Sequence, residues 1–204
     1  FGVSKPLWPG DPPDWFSPRH SALFAALDYG PKSFVVTSLA TPFYGLNFGV
    51  RRQAVLDLGG FNEHLGVVED MGGLEDIDLF RRALAAKMRV AYMPGAVIHH
   101  VIPEHRMERA FHRERLKAGM RMYYRTIEDQ YRAQPSVLGV PRFLFGKAIN
   151  DTMGYARSVL RRDRAETFHY ELQLVKFSGV YRQAAAMRRA RASQLAPSAN
   201  GDRS

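Results

Sequence analysis

Acidic residues cluster at one loop-to-helix junction of the sequence. Glu75, Asp76 and Asp78 follow the pair Gly72-Gly73, and apolar residues at helical spacing predict an amphipathic helix over 76–88. Carboxylates at a helix start are favoured by the helix dipole and by free backbone N–H groups, so capping alone is one explanation. The other is chemical, because such carboxylates can take a proton from a hydroxyl or supply oxygen ligands to a divalent cation.

Histidines form a second cluster, at His99, His100 and His105. Their spacing is neither HExxH nor HxxEH, which argues against a zinc peptidase. From the residues alone, each is either a hydrogen-bonded structural residue or a metal ligand. The sequence also has no G-x-S-x-G, no P-loop and no G-x-G-x-x-G motif. A hydrolase nucleophile elbow and nucleotide binding through those two loops are therefore excluded for these residues.

Composition places the chain among ordinary globular proteins. Its 204 residues are 46% hydrophobic and 24% charged, which fits one or two domains and excludes a disordered, collagen-like or coiled-coil chain. The absence of cysteine excludes disulfides, a thiolate nucleophile and cysteine-based metal sites. No apolar run approaches the ~20 residues that a membrane-spanning helix needs, and the first residues do not form a signal peptide.

Positive charge is concentrated in the second half. Residues 1–100 carry 9 Lys and Arg against 10 Asp and Glu, whereas residues 101–204 carry 20 against 10. Either this half faces an anionic surface or polymer, or it presents solvated helix faces. No nucleic-acid-binding signature accompanies the charge, so nucleic acid is the less favoured partner. The run Phe143-Leu144-Phe145 near Arg161, Arg162 and Arg164 is typical of an interfacial membrane helix.

The pattern of elements changes near Pro103. Before it we predict a proline-rich surface loop over the first thirty residues, with a short helix over 21–27. Further along we predict a strand over 33–37, an extended segment over 43–50 and a helix over 54–58. Two short strands, 89–93 and 96–98, are expected on either side of Pro94-Gly95.

After Pro103 we predict only helices. They cover 104–134, then Pro141 to about 162, then a segment that begins with a capping box at Asp163-Arg164-Ala165-Glu166. A disordered tail is expected from about Leu195. The predicted domains are therefore 1–103, which is α/β, and 104–204, which is helical and basic.

Four blocks, over about residues 40–125, together resemble the C-terminal half of family 2 glycosyltransferases. They are GLNFGVRR (45–52), GGFNE (59–63), GLEDIDL (73–79) followed by Arg82, and YMPGAVIHH (92–100). Trp8-Pro9 and Pro13-Asp14-Trp15 look like the acceptor-side loop of those enzymes. The resemblance implies an α/β fold that is the C-terminal portion of a GT-A fold, followed by an all-helical region. It also implies an inverting, nucleotide-sugar-dependent transferase of polysaccharide or glycolipid synthesis.

The resemblance also implies roles for individual residues. Asp76 matches the acid of the x-E-D motif and would be the catalytic base, with Glu75 orienting the acceptor or the base. His100 matches the metal-binding histidine, which implies Mg²⁺ or Mn²⁺, and His99 is the alternative. The implied substrate-binding residues are Trp15, Asn47, Arg51, Gly73, Asp78 and Arg82. For Arg51, a surface charge at a helix start is an equal alternative.

The partners implied are a nucleotide-sugar donor and a sugar or lipid-linked acceptor. The expected location is cytoplasmic or peripheral on the inner face of the membrane. The family's nucleotide-binding half and its D-x-D motif have no counterpart in the sequence, since the only nearby candidate, Asp76-Ile77-Asp78, belongs to the later motif. We therefore expect these 204 residues to be either a fragment of a full transferase or the product of a truncated gene, and to be inactive alone. Asn62 and Lys87 depart from the family pattern at peripheral positions. The alternative function is a basic helical module that binds a membrane surface or nucleic acid without catalysis.

Overall fold

The computed structural model is a mixed α/β protein. It describes residues 1–41, 43–63, 65, 75–120, 123–124, 131 and 133–195. Two compact units are present, unit 1 at Phe1–His112 and unit 2 at Arg113–Ser204. The boundary between them falls a few residues after the change in pattern near Pro103.

Unit 1 is built on a three-stranded sheet in the order β1-β3-β2. The strands are β1 (Gly2–Leu7), β2 (Phe34–Val36) and β3 (Val90–Val101). The first residues of β3 pair antiparallel with β2, and most of the remainder runs parallel to β1. The strand predicted over 33–37 is therefore confirmed.

β3 is one long strand, so the two strands predicted on either side of Pro94-Gly95 were wrong. On β1, Gly2 and Val3 are neighbours, yet they pair with Met93 and Val97, so residues 94–96 of β3 form an irregularity in the ladder. Proline is tolerated at such a bulge, because no ladder N–H is required of it there.

β1 corrects the prediction of a surface loop over the whole first thirty residues. Gly2, Val3 and Ser4 are buried, and the prolines that follow them concealed this short strand in the sequence. A Cβ on residue 2 would overlap the backbone of Ala96, so glycine permits the close approach of β1 to β3. The helix predicted over 21–27 is a 3-10 helix, Pro18–Phe24.

Unit 1 contains the helices α1 (Arg52–Asp57) and α2 (Glu75–Ala85), which confirms the two helices predicted there. α2 buries Leu79 and Phe80, whereas Ile77 of the same helix is exposed. The extended segment predicted over 43–50 was wrong in part, because it contains the 3-10 turn Gly45–Asn47. Buried side chains from these elements form two clusters that share Phe1 as a neighbour, one of Val3, Leu27 and Tyr92 and the other of Val36, Phe43 and Phe80.

Helix α3 (Arg109–Ala118) contains the boundary between the units. The helix predicted to begin at Glu104 was wrong at its start. Glu104–Met107 is a 3-10 turn, and Glu108 has an extended ψ of 135° that separates it from α3. That helix was also predicted to reach Gln134, which was wrong, because residues 131, 133 and 134 form turns or bends rather than helix. Most of residues 121–130, and the predicted tail beyond Leu195, lie outside the described residues.

Unit 2 continues with a hairpin and two long helices, so the prediction of helices alone after Pro103 was wrong at the hairpin. The hairpin pairs β4 (Ser136–Val137) with β5 (Val140–Pro141) through Leu138 and Gly139, which both have positive φ, as two-residue hairpin turns of the primed type require. The helices are α4 (Arg142–Leu160) and α5 (Arg164–Leu195), which confirms both predictions.

The capping box predicted at the start of α5 is confirmed in its main contact, because Asp163 Oδ1 accepts the backbone N–H of Glu166 at 2.9 Å. The core of unit 2 is a cluster of Met120, Tyr124, Val140, Val180 and Ala184. Within the described part of the chain, no helix combines the length and apolar character that crossing a bilayer requires.

Candidate active site

The carboxylate of Asp76 lies in the first turn of α2, where two backbone N–H groups hold it. Asp76 Oδ2 accepts the N–H of Gly45 at 2.6 Å, and Oδ1 accepts the N–H of Ile77 at 2.7 Å. One donor is thus 31 residues away in sequence and the other is adjacent. The orientation of this side chain is therefore fixed from both sides, and each oxygen retains a lone pair for a further donor.

Gly45 is required for this arrangement. A Cβ on residue 45 would lie 2.6 Å from Asp76 Oδ2 and 2.7 Å from Asp76 Cβ, which is closer than side chains approach one another. Two of the four sequence blocks therefore meet at a point where only a residue without a side chain fits.

A cavity of about 630 Å³ opens beside Asp76. Arg51 and Arg89 also line it, so one acidic and two basic residues share a mainly apolar wall. The apolar and aromatic side chains of that wall include Phe1, Phe43, Phe48, Leu58, Leu79, Phe80 and Met88. Its size is in the range of small-molecule sites, in which a few polar groups orient a ligand against apolar surface.

Glu75 is adjacent to this carboxylate but differs from it in environment. Glu75 Oε2 is buried and has no hydrogen-bond partner among the described residues. Gly73, which the resemblance implies as a substrate-binding residue, lies outside the described residues.

Asp78 and Arg82 connect α2 to the end of α1. Arg82 donates to Asp78 Oδ2 at 2.7 Å, to the carbonyl of Leu58 at 2.6 Å and to that of Gly60 at 2.8 Å. Burial raises the pKa of Asp78, but the hydrogen bonds and charges of Arg81 and Arg82 outweigh it, so the net pKa of Asp78 lies below its ordinary value. In this geometry both residues hold the two helices together rather than point into the cavity, which neither lines.

Asn47 joins the two parallel strands at their irregular step. Its Nδ2 donates to the carbonyl of Val3 at 2.8 Å and to that of Ala96 at 2.9 Å. Both of its amide hydrogens are therefore used on the backbone.

Trp15 is packed inside unit 1. Its side chain is 4% exposed, its ring stacks on Phe24, and its Nε1–H donates to the carbonyl of Met107 at 3.0 Å. A ring in this position supports the loop before the first block. Direct contact between Trp15 and a substrate stays a prediction.

His100 is held by one ring nitrogen. Nδ1 lies 3.0 Å from the carbonyl of Phe24, and because a carbonyl only accepts, Nδ1 must carry the proton. Nε2 of the neutral ring then has a free lone pair, which is the arrangement typical of a metal-ligating histidine. Among the described residues, no three histidine or carboxylate side chains come together as a metal site, so His100 fits as a single ligand.

Sequence reasoning missed three participants in this region, Gly45 as a steric requirement and Phe1 and Arg89 in the cavity wall. Of these three, only Gly45 had a signal in the sequence, because it is the first residue of one of the four blocks. Comparison of the chain with protein-family models, with curated proteins and with solved structures gave no match. Any assignment of function therefore depends on the residues and the geometry described above.

Proposed function

We propose that this chain is the acceptor-side part of an inverting, family 2-like glycosyltransferase with the C-terminal portion of a GT-A fold, and that Asp76 is its catalytic base. The observation that carries the proposal is the fixed carboxylate of Asp76 at the wall of the cavity, held by the N–H of Gly45. The order and spacing of the four blocks support the same assignment.

In the proposed reaction, a hydroxyl of the acceptor attacks the anomeric carbon of the donor sugar. The new C–O bond forms on one face as the bond to the nucleoside diphosphate breaks on the other, and the diphosphate leaves with that electron pair. The hydroxyl proton passes to a free lone pair of Asp76. Because two N–H groups fix the carboxylate, little reorientation is needed for this transfer.

The cavity wall suits such substrates. Aromatic and aliphatic side chains such as Phe43 and Phe48 can pack against the C–H faces of a sugar ring. Arg51 and Arg89 line the same cavity, and guanidinium groups pair well with phosphate oxygens. The donor is thus proposed to be a nucleotide sugar and the acceptor a sugar or lipid-linked sugar.

His100 is proposed as one ligand of a divalent cation, Mg²⁺ or Mn²⁺. When bound, such an ion neutralises charge on the departing diphosphate. The hydrogen bond of Nδ1 to the carbonyl of Phe24 keeps Nε2 as the ligating atom.

The test is sugar transfer by the complete protein that the gene encodes, with a panel of nucleotide sugars and a membrane extract as acceptor source. Asp76→Asn keeps the size of the side chain and removes the base, so turnover should fall ~10²–10⁴-fold with donor binding little changed. Asp11→Asn, at an exposed loop position, removes the same charge and should leave turnover unchanged. The anomeric configuration of the product, read by NMR, should be opposite to that of the donor.

Near-normal turnover in Asp76→Asn, together with an inactive Glu75→Gln, would move the base to the neighbouring residue. Retention of configuration would overturn the inverting mechanism. Failure of the complete protein to release nucleoside diphosphate from every donor in the panel would overturn the proposed function itself.

A further inference from the structure

Helix α4 has one face that packs against the rest of unit 2. Leu144 and Phe145 contact the core cluster, and Asp151 and Ser158 are buried. The sequence indicates the run Phe143-Leu144-Phe145 as interfacial, but its residues lie on different faces. Phe143 is exposed, whereas Leu144 and Phe145 are partly buried against the core cluster.

The other face of α4 is apolar and exposed. Ile149 is 63% exposed, Met153 56% and Leu160 85%. These residues are four and seven positions apart, so they lie along one side of the helix. We call this row the α4 stripe.

The exposed charged residues of α4 and of its C-cap all have one sign. Asp151 is the only acidic residue in α4, and it is buried in an ion pair with Lys147 at 2.6 Å. Arg142, Arg157 and Arg161 are exposed, at the two ends of the helix. The outer surface of α4 thus combines large apolar side chains with guanidinium groups and presents no carboxylate.

We propose that the α4 stripe docks on the surface of an anionic phospholipid bilayer, with α4 lying in the plane of the membrane. Apolar side chains enter the boundary between head groups and acyl chains, and flanking arginines pair with lipid phosphates, as in interfacial amphipathic helices. A second copy of this chain is a poorer occupant, since a symmetric contact would oppose the arginines of the two copies. Nucleic acid is also a poorer occupant, because Ile149, Met153 and Leu160 supply no aromatic platform on which bases stack. This inference does not depend on the proposed glycosyl transfer.

The experiment is flotation of the complete protein with vesicles of phosphatidylcholine alone and with vesicles that also contain phosphatidylglycerol. We expect binding to the anionic vesicles that weakens with added salt. The variant Ile149→Ser/Met153→Ser/Leu160→Ser should lose at least about a hundredfold in binding. The matched control Leu39→Ser/Leu56→Ser/Val101→Ser, which changes exposed apolar residues of unit 1, should bind normally.

Charge is tested in the same way. Arg157→Gln/Arg161→Gln should weaken binding about tenfold or more. Arg182→Gln/Arg189→Gln, at exposed positions of α5, removes the same charge and should have a much smaller effect. An equal loss in both pairs would mean that net charge, rather than this surface, causes binding, and would overturn the proposal.

A second measurement follows the stripe directly. These 204 residues contain no cysteine, so in this chain Met153→Cys accepts a single polarity-sensitive dye. Its emission should shift to the blue with anionic vesicles, while the same dye on Leu56→Cys should not respond. No shift at residue 153, equal binding to both vesicle types, or binding to neither would overturn the proposal. A dimer, or a tight RNA complex, that the stripe variant abolishes in the absence of vesicle binding would do the same.

Discussion

The two units use their polar side chains in opposite ways. In unit 1, Asn47, Arg82 and His100 are all bonded to main-chain carbonyls of other segments. In unit 2, the ion pairs Lys147–Asp151 and Arg113–Glu171 join side chains on helices, and most arginines among the described residues are exposed.

The difference follows from backbone hydrogen bonding. The helices of unit 2 satisfy their own N–H and C=O groups, so their side chains are available for the surroundings. Unit 1 has short strands and long irregular connections, which leave carbonyls that side chains must satisfy. Unit 2 obeys the same rule where it is irregular, because Tyr124 donates to the carbonyl of Gly139 in the hairpin turn. Residues 113–204 hold 18 Lys and Arg against 8 Asp and Glu, so the more helical unit is also the basic one.

Among substitutions that remove such side-chain contacts, we expect the largest effect on stability at Asn47. A carboxylate in Asn47→Asp cannot donate to the carbonyls of Val3 and Ala96 and is repelled by both. The free energy of unfolding of unit 1 should fall by about 3 kcal/mol or more, and in Asn47→Ala by roughly half of that. Urea denaturation followed by tryptophan fluorescence measures it, because Trp8 and Trp15 both lie in unit 1. An unchanged midpoint in Asn47→Asp would show that the side chain does not join the strands.

A smaller effect is expected in unit 2 from packing alone. A Cβ on Gly154 would overlap the ring of Tyr170 on α5, whereas a Cβ on Gly146 of the same helix meets nothing within 4 Å. Gly154→Ala should therefore lower the stability of unit 2 by about 2 kcal/mol, and Gly146→Ala should raise it by about 0.5–1 kcal/mol. Far-UV circular dichroism in urea follows the helices. Equal changes in the two variants would contradict the close contact of α4 with α5.

The smallest effect is expected at Lys176. Burial lowers its pKa, and the charge of Lys147 adds to the shift. The unfolded chain then binds more protons than the folded chain between the lowered pKa and the ordinary lysine value, so stability should rise with pH across that window. Lys176→Met should stabilise unit 2 by about 1 kcal/mol at neutral pH and remove this rise. A variant that is less stable at neutral pH would mean that the charge is favourable, through the ring of Tyr123 6.0 Å away.

Periodic segments could be predicted from the sequence because their own residues determine them. The apolar spacing of α2 and the cap at Asp163 are local features, and both lie where they were expected. The presence of β1, and the formation of β3 as one strand rather than two, depend instead on pairing between distant segments. Pro94 is compatible with a strand only because of the bulge opposite Gly2 and Val3.

The residues of the candidate site fall into the same two groups, those placed by local sequence and those placed by contacts with distant segments. The position of Asp76 at the start of a helix could be predicted, since acids favour that place. The contacts of Asn47, Arg82 and Trp15 could not, because their acceptors are main-chain carbonyls, which are present at every residue and leave no sequence pattern.

The central claim is that the backbone of unit 1 positions one carboxylate, that of Asp76, as a catalytic base. Gly45→Ala tests it most directly in the transfer assay of the complete protein, because the added methyl group must displace that carboxylate. Gly10→Ala is the matched control, since a Cβ there meets nothing within 4 Å and Gly10 does not line the cavity. We predict that kcat falls about 10²-fold in Gly45→Ala with KM for the donor unchanged, while Gly10→Ala keeps normal turnover. Equal kcat values in the two variants, with unit 1 folded in both by tryptophan fluorescence, would contradict the claim.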